Sequence, residues 1–124
     1  MANKIDVRAN VAKNRLYMAL EGFFSDEEAK QTADKGIAEA SKLKAGFDIV
    51  NDIRGFKPTS PKGADEIKRA LVFCKQQGLR HVIRVVDQAA VIGEVQFSRQ
   101  SKDVGLAVDT ATSIEEADKI LDAR

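Results

Sequence analysis

The stretch "FDIVNDIRGFKPTSPKG", residues 47–63, decides how the chain is read. An apolar run over 47–53 ends in a short basic loop, and Ser60-Pro61 then opens a helix. A brief apolar run bounded by turn residues reads as a strand. Serine at the N-cap followed by proline at the first helical position is a well-formed helix start, because the serine oxygen takes an orphan N–H and proline has none to lose. The helix spans 61–77, with Ala64, Ile67, Leu71 and Cys74 on its buried stripe and Gly78 at its C-terminal stop. Strand, loop and helix in this order form the repeating unit of an α/β domain, and the loop lies at the strand's carboxyl end.

Upstream, "KIDVRANV" alternates, with Ile5, Val7, Ala9 and Val11 on one face. After the turn "AKN", "RLYMALEG" alternates again through Leu16, Met18 and Leu20. Two such runs across a short polar turn predict an antiparallel hairpin. "SDEEAK" predicts a helix capped by Ser25 and boxed by Glu28, with Ala29, Ala33, Ile37, Ala40 and Leu43 turned inward and an end at Gly46. Downstream, "HVIRVVD" reads as an interior strand, apolar on both faces. A helix is expected over 88–101, interrupted by Gly93, followed by a strand in "LAVDTAT". The last helix has a second capping box at Ser113 and Glu116 and a stripe of Ala117, Ile120 and Leu121. The predicted order is β-β-α-β-α-β-α-β-α: an α/β fold with a mixed, mostly parallel sheet, in one domain over 1–124.

Composition narrows the function classes. With 20 basic and 19 acidic residues the net charge is +1, so no electrostatic footprint for nucleic acid or an anionic membrane exists. No apolar run is long enough for a membrane span. The start, "MANKIDVRAN", is charged and lacks the apolar centre of a signal peptide, and the single Cys74 can form no internal disulfide, so a cytoplasmic location is expected. The lone His81 has no Cys/His companions at metal spacing, and Walker and Gly-x-Gly-x-x-Gly patterns are absent, so no metal, cofactor or enzymatic activity is expected.

The element order, with "FDIVNDIRGF" running into a loop and helix and "SIEEADKIL" closing the chain, resembles the STAS domains, including the anti-sigma-factor antagonists of the SpoIIAA type and the SpoIIAA-like proteins. The resemblance covers roughly residues 5–121. In the antagonists the strand ends in an Asp-Leu-Ser-Gly-like sequence, and an Asp-Ser-Ser-Gly-like stretch, with a serine phosphorylated by a partner kinase, opens the next helix. Here "NDIRG" matches the first through Asp52 and Gly55. "TSPKG" stands at the second, with Ser60 near the family's aspartate and Pro61 in place of a serine. The resemblance implies a non-enzymatic regulatory module that binds a protein partner.

The loop therefore supplies the candidate site. Arg54, Lys57 and Lys62 beside a helix N-terminus suit an anion or a partner's carboxylate. Phe56 among them is expected to be at least partly exposed as an anchor, against the plainer reading of a lid over the core. Ser60 and Thr59 are candidate phosphorylation sites, against the plainer reading of Ser60 as an N-cap. Asp52 and Asp87 are expected as strand-end acids facing water, and Phe23, Phe24, Phe73 and Phe97 as core. A second function stays open: a carrier or sensor holding a small anionic or lipid-like molecule between this loop and the 88–101 helix. The identity of the partner and any homo-oligomer also stay open.

Overall fold

The structure, a computed structural model, describes residues 3–57, 60–86 and 105–123. The helix expected over 88–101, together with Thr59, Asp87 and Phe97, lies outside the described residues. Among the described residues five strands form one sheet: β1 (Lys4–Asn10), β2 (Arg15–Gly22), β3 (Asp48–Phe56), β4 (His81–Val85) and β5 (Val108–Ala111). Their spatial order follows the chain. β1 and β2 pair antiparallel, and β2, β3, β4 and β5 run parallel. Among the described residues three helices pack on this sheet: α1 (Asp26–Ala40), α2 (Pro61–Gln77) and α3 (Ile114–Asp122). The α/β class and the mixed sheet are as expected.

The hairpin turns at Asn14, whose φ of 54° suits an asparagine. Its amide is then tied to Lys44, accepting from the Lys44 N–H at 2.8 Å and donating to the Lys44 carbonyl at 3.2 Å. Beyond the hairpin, β2 enters α1 through a complete capping box: the Glu28 N–H donates to Ser25 Oγ, and the Ser25 N–H donates to the Glu28 carboxylate, each at 3.1 Å. The helix ends at Ala40, earlier than Gly46. Leu43 still reaches the core, carried there by a turn in which Lys42 and Leu43 N–H groups bond to the Glu39 and Ala40 carbonyls. Gly78 stops α2 at φ 105°. A Cβ there would stand 2.7 Å from the Ala45 Cα, so this position needs glycine for its backbone and for the close approach.

α1 and α2 cover one face of the sheet, against Leu16, Ile49 and Val82. α3 covers the other, where Ala117 and Leu121 meet Val50, Ile83 and Val85. β3 is the middle strand and, with β4, is covered on both sides. α3 is pinned by the buried Arg15, which donates to Asp118 at 2.7 Å and Asp122 at 3.0 Å, while Tyr17 also donates to Asp118 at 2.7 Å. Burial opposes the Arg15 charge, but these bonds outweigh it and raise the pKa further above its ordinary value.

Val11 lies beyond the end of β1 and is exposed. Phe23 is 70% exposed, because the chain turns from β2 into α1 at this point and only Phe24 points inward. The second capping box forms one arm only: Ser113 Oγ accepts from the Glu116 N–H at 3.1 Å, but the Glu116 carboxylate accepts from Thr112 Oγ1 instead.

Candidate functional site

The basic loop starts later than its sequence indicates. β3 runs through Phe56, so Arg54, Gly55 and Phe56 belong to the strand. Phe56 is 2% exposed and meets Phe24 edge-on, with ring centroids 5.5 Å apart, in a cluster with Leu20 and Ile53. The expectation of an exposed Phe56 anchor is overturned: a bulge in the β2–β3 pairing between Ala19 and Glu21 places Gly22 opposite Phe56 and lets the ring fold under α1 and α2.

The charged members of the loop do not form a single patch. Arg54 turns back on Asp52, donating from Nε at 3.0 Å and from Nη2 at 2.8 Å. Burial pushes the Asp52 carboxyl up, and the Arg54 side chain and N–H outweigh it, leaving the group below the usual carboxylate range. Asp52 is thus a half-buried ion-pair partner, not a free strand-end acid. Lys57 and Lys62 are exposed. Ser60 is the N-cap of α2, accepting from the Gly63 N–H at 3.1 Å, and its hydroxyl also donates to the Asp26 carboxylate at the start of α1. A phosphate on Ser60 would meet Asp26 directly.

A cavity of about 50 Å³ lies deeper, between the α1–α2 layer and the sheet. The sequence of α1 creates it. Its sheet-facing positions include Ala29, Ala33 and Gly36, which hold the helix on the sheet without filling the space beneath. α2 contributes Ile67, Leu71 and Cys74 to the wall. Cys74 is buried, and burial pushes its thiol up to about 12, as expected of an inert core cysteine.

Two polar side chains stand at the cavity floor. Asn51 of β3 and Arg84 of β4 are register partners, with Met18 of β2 opposite Asn51 on its other side. Adjacent strands are about 4.8 Å apart, so these three side chains form a row across the sheet. Asn51 is 4% exposed and Arg84 1%. Arg84 has an interaction partner, so it is not an isolated buried cation. Asn51 differs: its Oδ1 is buried with no hydrogen-bond partner. Thr32, the polar residue in the roof, is already satisfied by donating to the Glu28 carbonyl at 2.8 Å.

"HVIRVVD" is therefore not apolar on both faces, since Arg84 points inward from its middle. The sequence does carry a partial signal, a polar residue at an inward position in each of two apolar strands, though not that the two are neighbours. His81, at the other end of β4, pairs with Asp109 at 2.7 Å. Among the described residues no His, Cys, Asp and Glu side chains gather as a metal site would require, and no helix is long and apolar enough to cross a membrane. No protein-family model matches the chain, and a search of curated proteins finds no match.

Proposed function

We propose that the chain is a non-enzymatic binding module of STAS or SpoIIAA-like type, a carrier or sensor that holds a small, mainly apolar molecule between its helices and its sheet. The observation that carries this reading is the apolar cavity with the unpartnered Asn51 acceptor at its floor. Small-molecule sites are concave and apolar with a few placed polar groups, and this cavity has that composition. It lies under α1 and α2; the 88–101 segment, expected to close such a site together with the basic loop, lies outside the described residues. The proposed setting is the cytoplasm.

A second reading, docking of a protein partner at the rim of α2, is favoured by exposed Lys57 and Lys62 beside the α2 N-terminus. Arg54 is committed to Asp52 and Phe56 to the core, so this surface is smaller than the loop sequence implies.

Mass spectrometry of the purified protein, under native and then denaturing conditions, tests the first reading. A small molecule released only on denaturation, and missing from a folded Ala33→Leu variant whose larger side chain fills the cavity, is the expected result. Equal retention by both proteins would place binding elsewhere.

A further inference from the structure

We infer that the ligand of this cavity carries a hydroxyl group, presented to Asn51 and Arg84 at one end of a short apolar body. The inference rests on the binding reading above and assigns its chemistry. A buried amide oxygen without a donor is a costly feature, and native proteins retain one where a water or a ligand supplies the missing bond. The donor required is narrowly defined. An ether or ketone has no proton for Asn51 Oδ1. A carboxylate would set lone pairs against it. A hydroxyl donates to the amide oxygen and, through its own lone pairs, accepts from a guanidinium. It also suits either end of the Asn51 amide, being both donor and acceptor.

Water has the same bonding capacity but fits the rest of the cavity poorly. Room for one water needs roughly 10–15 Å³, and a buried water needs two to four polar partners. The space here is about 50 Å³, and beyond the floor its walls are apolar, including Leu20, Phe24, Ile67 and Leu71. Further waters would lack partners. An apolar body attached to the hydroxyl fills that volume with dispersion contacts instead. Ala29, Ala33 and Gly36 leave the room for it. A Cβ at Gly36 would meet only the Met18 methyl, at 3.7 Å, so the space is not taken by the fold's own packing.

Pentanol, its isomer butyl methyl ether, and pentanoate provide the test, read by the ¹³C-methyl resonance of Met18, which lines the cavity. Met18 shares the spectrum with Met1 alone. Pentanol is expected to shift it saturably, about tenfold more tightly than the ether, as one hydrogen bond predicts. Asn51→Leu should bring the two isomers to similar affinity. Ala33→Leu and the milder Gly36→Ala should weaken both. Should the ether match pentanol in the native protein, or pentanoate bind more tightly, the hydroxyl assignment fails while ligand binding stands. Should no probe move the Met18 methyl, or the shifts survive unchanged in both filled variants, the binding reading fails with it and Asn51 is served by water only. The comparison among probes uses the native protein, so it decides the point even if Asn51→Leu folds poorly.

Discussion

Asn51 and Arg84 lie side by side on the two strands that helices cover on both faces, and both side chains face the same cavity. Neither position serves the fold by hydrophobic burial. A leucine or valine at each would continue the pattern set by Ile49 and Val82. Polar residues held where packing alone favours apolar ones are the feature by which this module differs from a plain α/β core.

Replacing Asn51 should therefore not destabilise the protein. Asn51→Leu removes a buried acceptor without a partner, whose penalty is about 1–3 kcal/mol, and substitutes a side chain of similar size. Stability in urea should rise by about 1 kcal/mol. A loss of 2 kcal/mol or more would mean that Asn51 carries a structural bond and that its oxygen is satisfied in solution.

Phe56 and Lys57, neighbours in sequence, should behave in opposite ways. Phe56→Ala removes a buried ring packed on Phe24 and should cost about 3–5 kcal/mol. Lys57→Ala changes an exposed side chain and should stay within about 0.5 kcal/mol. Denaturant titration of the two single variants separates them, and a mild effect at Phe56 would restore it as a surface residue.

The same neighbours show what could be read from the sequence. Hydrophobic period and caps place the described strands and helices, because alternation and 3.6-residue spacing are local consequences of burial on one face. Ser25 with Glu28 and Ser60 with Pro61 act locally too, and both caps form. Phe56 reads as loop in the sequence because Gly55 and Lys57 flank it. Its burial depends on the β2–β3 bulge, a tertiary event with no local sign. Asn51 and Arg84 are visible as residues but not as a pair, since pairing requires the register that joins positions 33 apart in the chain. The Glu116 arm failed because Thr112 offers a competing hydroxyl, a contest that the capping pattern does not encode.

Asp52 gives the fold an acid-sensitive term. Its folded-state pKa lies below the unfolded value of about 3.9, so the ion pair with Arg54 stabilises the protein above that pH. The contribution is lost as pH falls through the folded value. Arg54 is partly exposed and solvent screens the pair, so Asp52→Asn should cost about 1 kcal/mol at neutral pH. The gap between native protein and variant, measured by urea unfolding from pH 7 to pH 2.5, should narrow below pH 4. A gap independent of pH would show that charge at Asp52 is not its source.

Cys74 reports on the cavity by its reactivity. Only the thiolate attacks an alkylating reagent, and burial raises this thiol to about 12. At pH 8 the native protein should react with iodoacetamide roughly a thousandfold more slowly than an unhindered cysteine, whose pKa is about 8.5. The pH profile identifies the route. Reaction inside the folded cavity should keep rising tenfold per pH unit beyond pH 9. Reaction through opening should level off near the ordinary cysteine pKa, at a rate set by stability. In the opening regime an occupant of the cavity slows labelling in proportion to its saturation, because only the closed form binds it. Pentanol should then protect Cys74 in the native protein and not in Ala33→Leu. Rapid labelling of the native chain at pH 8 would mean that the α1–α2 layer stands open over the thiol, and the enclosed site proposed for Asn51 and Arg84 would be lost with it.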